Sequence, residues 1–398
     1  MILPGYAKGN RSESQPHRSE TMGFLDEIPG HRRPFPPPAE KQVGVGVVGL
    51  HEGRTLLIGL ERCSRARAVA GCDLDPAKLE ASRKERPDLF YTSDLNQLLA
   101  RPEVEVVAIY TPDAEHGEHI VRAFEAGKDV ICTKPLVSSM ADAAAVLAAG
   151  RRTGRRLLVG QSTRFFEPFQ RQRAAFERGD LGRLELADAH YMHRMDWYYR
   201  KSPWAARDTD WAFLGLSHPI DLVRWYLGSV EEVHAFGLCS HLGQDFGLQG
   251  VDIYTVNLRA VDGRLGRVLG HYGLEELPSA RNAIELMLYG SRGSSQAQYH
   301  DMRYRYTAAD GSEICEDSLY ALRHWHFNSE VHGMHYGEFA NYTEAFATAL
   351  LEGKPCSPSL EEGVESFCVM EAVRRSAKEG GPISVSPLLE EVGLKGDS

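Results

Sequence analysis

From Val43 to Gly160 the chain repeats one unit: a short apolar run, a turn, then a segment with helical spacing. The apolar runs are Val43–Gly49, Val69–Asp73, Val104–Tyr110, Asp129–Thr133 and Leu157–Gly160. Strands that read as almost continuously apolar are buried on both faces, and the helices between them must do the covering. The expected helices run over Thr55–Cys63, from Pro76 behind an Asp75 N-cap, over Ala114–Ala126 and over Met140–Thr153. This alternation specifies a parallel, doubly wound α/β sheet, in which ligands sit at the carboxyl ends of the strands.

After about residue 164 the pattern changes. A helix over Phe166–Arg178 precedes a long extended run, Leu184–Met195. His218–Leu227 reads as a helix stopped by Gly228. Between Val230 and Thr307 strand-like runs are separated by glycine turns such as Asp262-Gly263, and two helices follow, over Tyr336–Glu352 and Leu360–Lys378. The expected fold class is therefore α/β: a dinucleotide-binding domain over 43–163, then an α+β domain over 164–398 with a large, mainly antiparallel sheet and helices on one face. Two domains also suit a chain of 398 residues. Residues 1–42 have the composition of a flexible tail, or of an arm lying on a neighbouring subunit, and Met22 is a candidate start. Arg32-Arg33-Pro34-Phe35 is not followed by an apolar stretch, so it is not read as an export signal.

A net charge of −10 without a long basic run argues against nucleic acid or an anionic membrane as partner. No apolar run is long enough to span a bilayer. Seven cysteines, without a Cys-x-x-Cys pair, fit reduced thiols in the cytoplasm better than a zinc ribbon.

The first strand leads into Gly49-Leu50-His51-Glu52-Gly53-Arg54, then a helix, and Asp73 closes the second strand 24 positions after Gly49. That order is a dinucleotide fingerprint, in which glycines let a pyrophosphate approach backbone N–H groups. His51 takes the place of the middle glycine, and Arg54 that of the last, with Gly53 one position early. Gly49, His51, Glu52, Gly53 and Arg54 are thus the expected cofactor turn. Asp73 can bind both ribose hydroxyls and would repel a 2′-phosphate, and Leu74 offers no cation after it, so NAD is expected over NADP.

These features together with Tyr110-Thr111-Pro112-Asp113-Ala114-Glu115-His116, Ala126-Gly127-Lys128-Asp129-Val130-Ile131-Cys132-Thr133-Lys134-Pro135 and His218-Pro219-Ile220-Asp221 resemble the Gfo/Idh/MocA family, the relatives of glucose-fructose oxidoreductase and inositol dehydrogenase. The resemblance runs from about Val43 to Pro382. It implies a Rossmann domain, a C-terminal domain with an open sheet through which subunits form dimers or tetramers, and oxidation or reduction of sugars and cyclitols with a nicotinamide cofactor. It further implies that Lys134 lies by the nicotinamide ribose and the reacting hydroxyl, that Thr111, Pro112, His116, Gln161 and Arg164 surround the nicotinamide, and that His218 is the acid/base. Two carboxylates usual in the family are replaced, by Thr133 and Leu214. Asp221, one helical turn after His218, is a candidate to orient the imidazole or face the substrate.

The residues also make chemical sense alone. Oxidising a secondary alcohol removes a proton from oxygen and a hydride from carbon. A lysine ammonium stabilises the developing alkoxide, and a histidine accepts the proton at neutral pH. For the substrate, a sugar, glycoside or cyclitol, the candidate contacts are Lys134, His193, Trp204, His218, Asp221, His335 and Tyr336, with Trp211 as a further stacking surface or a packing residue. His190 to Trp197 is expected on a strand whose alternate residues face one side and are candidates to line the sugar pocket. The histidines of 324–335 are pocket or surface residues, and no metal is required. Two other readings keep the cofactor: a glycosidase or lyase that oxidises transiently and eliminates, and a non-catalytic nucleotide sensor.

Overall fold

A computed structural model describes residues 37–203, 205–275, 283–317 and 338–394. The first domain runs β1 (Val43–Val48), α1 (Gly53–Gly59), β2 (Ala66–Cys72), α2 (Pro76–Glu85), β3 (Phe90–Thr92), α3 (Leu95–Leu99), β4 (Val106–Ile109), α4 (His116–Glu125), β5 (Asp129–Thr133), α5 (Met140–Thr153) and β6 (Leu157–Gly160). Its six strands lie in the order β3-β2-β1-β4-β5-β6, all parallel. The strand order reverses beside β1, so the switch point where doubly wound sheets bind nucleotides falls at the Gly49 turn. Asp75 caps α2, accepting from the Ala77 N–H at 2.8 Å, with Pro76 in the first turn. β3 and α3 were not expected. Both are short, and Phe90–Thr92 has too few residues to carry a period.

The second domain runs α6 (Glu167–Glu177), β7 (Leu184–Met192), α7 (Asp196–Lys201), α8 (Ala205–Asp208), α9 (Trp211–Leu214), α10 (Ser217–Leu227), β8 (Val230–Leu238), α11 (His241–Asp245), β9 (Ile253–Ala260), β10 (Leu265–His271), β11 (Ala283–Gly290), β12 (Gly293–Gln298), β13 (Arg303–Ala308), β14 (Glu313–Asp317), α12 (Glu338–Leu351), α13 (Leu360–Glu379), β15 (Ile383–Ser384) and α14 (Ser386–Glu391). Its nine strands have the order β14-β13-β12-β11-β7-β10-β9-β8-β15. Every pairing is antiparallel except β7 with β10. Helices α10 and α13 pack on one face. The long extended run ends at Met192 rather than Met195, and Asp196 and Trp197 are helical. The His193 and Met195 N–H groups still bond the His271 and Tyr272 carbonyls on the β10 side, and α7 starts directly after them.

The linear division between domains is crossed by the C-terminal helices: α13 packs on α5 and β6, and α12 completes the first domain. Phe339, Tyr342 and Phe346 of α12 pack into the cluster formed by Val43, Val45, Val47, Leu56 and Leu57 of the first domain. Each such aromatic contributes on the order of 2–3 kcal/mol of burial. Residues 37–42, expected as the end of a tail, lie against that domain: the Ala39 N–H donates to the Ser64 carbonyl, and the Ser64 hydroxyl donates to the Pro37 carbonyl.

On the face of the large sheet that carries no helix among the described residues, His190 bridges Asp188 at 3.1 Å and Glu285 at 3.2 Å, and Arg267 pairs with Asp188. Hydrogen bonding to Asp188, then to Glu285, lifts the His190 pKa to about 9. A raised histidine pKa stabilises the fold fully below its unfolded value of about 6.5, and the contribution is lost as pH rises through about 9. Denaturant unfolding across that window is expected to show stability falling with rising pH, and His190→Gln is expected to flatten the fall.

Candidate functional site

The first half of the site is the turn after β1. Gly49 has φ +86°, and a Cβ there would stand 2.5 Å from the Tyr110 carbonyl oxygen. A glycine is therefore obligatory on two counts. At Gly53 a Cβ would meet the Val47 side chain at 2.6 Å. Gly53 thus performs the helix-against-strand packing that the last fingerprint glycine provides elsewhere, which frees position 54. Arg54 bonds Glu85 at 2.9 Å, on the side of α2. His51 and Glu52 are exposed on the turn.

Asp73 lies at the end of β2. One carboxylate oxygen accepts the Leu50 N–H at 2.7 Å and the other the Asp75 N–H at 2.9 Å. The backbone of the glycine turn therefore fixes the acid. Each oxygen retains a lone pair, which fits the diol of a ribose. Lys78 approaches Asp73 at 3.8 Å, and the neighbouring Leu74 is 85% exposed.

The second half gathers where β4, β5 and β6 end. Lys134 follows β5 and is joined to Pro135 by a cis peptide bond. Its ammonium donates to the Leu214 carbonyl at 3.1 Å. The position lacking the usual carboxylate thus holds the lysine through its main chain. Burial lowers the Lys134 pKa, opposed by Asp113 and Glu52. His218, in the first turn of α10, is buried, with Nδ1 3.4 Å from the Thr163 hydroxyl. Tyr191 sets its ring edge-on to His218 at 5.9 Å and lies 6.3 Å from His193. Burial, then the charge of Lys134, brings the His193 pKa down to about 4, so this histidine is neutral at neutral pH. Lys134, His193, Tyr191 and His218 form one contiguous group built from both domains. Tyr191 lies in the run expected to face a sugar pocket with alternate residues, and its two-residue spacing to His193 along the strand puts both side chains on one face.

Several expected contacts are placed differently. Asp221 is 1% exposed, and both its oxygens accept from Arg164 at 2.7 Å. The remaining Arg164 nitrogen reaches Ser357 at 2.9 Å and Glu362 at 3.2 Å, and Trp225 covers the guanidinium. Asp221 is therefore corrected from substrate contact to partner of Arg164, and Arg164 from cofactor contact to a clamp between β6, α10 and α13. His116 is likewise fully buried, its Nε2 2.9 Å from the Thr111 carbonyl and its Nδ1 2.8 Å from the Pro135 carbonyl. It ties the β4 and β5 ends together instead of touching cofactor. Thr111 pairs with His119 at 3.1 Å, and Pro112 is exposed beside it. Gln161 donates to the Ser217 hydroxyl at 2.9 Å, while its carbonyl oxygen is buried with no partner among the described residues, which suits an amide donor such as the nicotinamide carboxamide. Trp211 is interior, stacked on Tyr272 at 4.6 Å. Trp204, His335, Tyr336 and the histidines of 324–335 lie outside the described residues.

Comparisons with known proteins agree over both domains. Residues 43–161 match the Gfo/Idh/MocA model described as an oxidoreductase family with an NAD-binding Rossmann fold, and residues 173–385 match that family's C-terminal alpha/beta domain. Over 200 residues, 48% of this chain and 49% of the relative, the chain is 32% identical to 1-carboxy-3-chloro-3,4-dihydroxycyclohexa-1,5-diene dehydrogenase of Comamonas testosteroni. It is 26% identical to inositol 2-dehydrogenase 1 of Saccharopolyspora erythraea over 86% of this chain and 95% of that one. An oxidoreductase from Agrobacterium radiobacter, solved with NAD+, L-tartaric acid and magnesium, superposes with a TM-score of 0.77 at 20% identity, covering 88% of this chain and 100% of that one.

Two outcomes follow from this geometry. Removing one partner of the buried clamp, as in Asp221→Ala, is expected to cost about 3 kcal/mol in denaturant unfolding, whereas Arg164→Met combined with Asp221→Leu recovers most of the loss. Asp73→Ala is expected to shift the NADP-to-NAD ratio of dissociation constants towards NADP by about tenfold, read by calorimetric titration of both nucleotides.

Proposed function

The chain belongs to the Gfo/Idh/MocA family of oxidoreductases, and from that membership we propose that it is an NAD-dependent dehydrogenase that oxidises or reduces a secondary hydroxyl of a sugar, glycoside or cyclitol. The observation that carries the reading is the Lys134 ammonium, fixed by the Leu214 carbonyl in one group with His193, Tyr191 and His218. Two of the relatives are named as dehydrogenases of hydroxylated six-membered rings, which supports a cyclitol-like substrate.

In this reading Asp73 holds the adenosine ribose, the Gly49–Gly53 turn receives the pyrophosphate, and Gln161 faces the carboxamide. When bound, NAD supplies the hydride acceptor. Lys134 donates a hydrogen bond to the reacting hydroxyl and stabilises the alkoxide as its proton leaves. His218 takes that proton, and Thr163 holds its ring. With its pKa near 4, His193 stays neutral and offers the substrate hydrogen bonds without competing as a cation.

The reading includes a cytoplasmic location, which seven free cysteine thiols support. Among the described residues no helix is long and apolar enough to cross a membrane. Association into a dimer or tetramer is assigned to the face of the nine-stranded sheet that carries no helix among the described residues, where Phe236, Leu265 and Tyr289 are exposed.

Lys134→Ala is expected to lower kcat by about 10²–10³ while NAD affinity, measured by titration, changes little. A variant that keeps parental turnover would overturn the assignment. In the parent enzyme the activity that depends on protonated Lys134 is expected to fall at a pH below the ordinary lysine value, because burial lowers this pKa. A pH–rate profile checks it.

A further inference from the structure

The helix α7, Asp196–Lys201, connects the two halves of the site. It begins directly after Met195, whose N–H donates to the Tyr272 carbonyl beyond the end of β10. Trp197, in its first turn, donates to His193 Nε2 at 3.4 Å and lies 5.9 Å from that ring. Lys201 ends the helix four residues later, about 6 Å along the axis and on the same face. Its ammonium donates to His51 Nε2 at 2.8 Å. The buried Tyr199, which accepts from the Trp211 indole at 2.7 Å, anchors the helix between these two contacts. One short element of the second domain therefore touches the reacting end of the site at Trp197 and the dinucleotide turn at Lys201.

His51 is the residue that replaces the middle glycine of the turn. A glycine there would leave nothing for a lysine to bind. The imidazole instead presents a neutral acceptor: burial, then Lys201 and Lys78, lower its pKa, against Glu52 and Asp73. The ammonium makes either bond charge-assisted, but a phosphate oxygen adds a negative charge that a neutral imidazole lacks, so the phosphate is the stronger partner. The lysine is thus held beside the place that a diphosphate enters, by a partner that it gains by leaving.

We propose that Lys201, carried on the second domain, is a ligand of the cofactor's diphosphate, and that His51 holds it at the turn until the dinucleotide binds. This rests on the NAD-binding reading. On binding, the Lys201 hydrogen bond passes from His51 Nε2 to a phosphate oxygen, and the substrate-side helix is fixed over the cofactor by the same contact.

The test is calorimetric titration of the full chain, its Lys201→Ala variant and its Lys201→Arg variant with NAD and ADP-ribose, alongside an NMR titration with adenosine. The expected result is that Lys201→Ala weakens NAD and ADP-ribose by about tenfold, leaves adenosine unchanged, and is rescued in large part by Lys201→Arg. The loss is expected to shrink as salt rises, since the interaction is screened. NAD affinity within twofold of the parent in Lys201→Ala would overturn the proposal while leaving the cofactor reading intact. Equal weakening of adenosine would overturn it too, by showing a general disturbance of the site. A parent protein that binds no NAD at all would remove the cofactor reading itself.

Discussion

The structure depends on one buried ion pair. Arg164 leaves the last strand of the nucleotide-binding sheet, and Asp221 stands one helical turn beyond His218 on α10. Their bidentate contact, sealed by Trp225, Ser357 and Glu362, fixes α10 against the end of β6. Charges so deeply buried are costly unless fully paired, and here the pairing is complete, so α10 has one seat rather than several. That seat sets His218 beside Thr163 and Tyr191. The Leu214 carbonyl, just before α10, comes to the Lys134 ammonium. The group proposed to act on the substrate is therefore assembled by a contact in which none of its own members takes part.

A similar division of labour holds at the strand ends. His116 is spent on two carbonyls, one after β4 and one after β5. Asp113, close enough to both to feel the charges of His116 and Lys134, adds a carboxylate near the lysine, with burial raising its pKa. The carboxylates missing at positions 133 and 214 are thus offset by a main-chain carbonyl and by charge from neighbouring loops.

The sequence carried the first domain well, because buried parallel strands and capped helices leave patterns that short windows reveal. Val43–Val48, the Asp75-Pro76 helix start and the Gly49 turn are all local signals. That Lys134 stands at a strand's end and that His218 opens a helix were legible through their motifs. What was not legible was partnership across the chain. Nothing at position 164 announces that its counter-ion lies at 221, so both were read as facing ligands when they face each other. A polar residue in a motif looks the same whether it meets a cofactor or a carbonyl, and His116 was misread for that reason. α12 is amphipathic enough to pack on either domain, and only the fold shows Phe339, Tyr342 and Phe346 completing the first. The partners of the segment after Met192, the His271 and Tyr272 carbonyls, lie about eighty residues away in sequence.

The central claim is that this assembled group moves a hydride between a carbinol carbon and NAD. The direct measurement is to incubate the protein with NAD and inositols or pyranoses deuterated at their carbinol carbons, and to examine the nicotinamide by mass spectrometry. The account predicts deuterium in the reduced nicotinamide, in proportion to oxidised ring product. Substrate consumed with no label retained on free nicotinamide, and with the leaving group of a glycoside released instead, would contradict it.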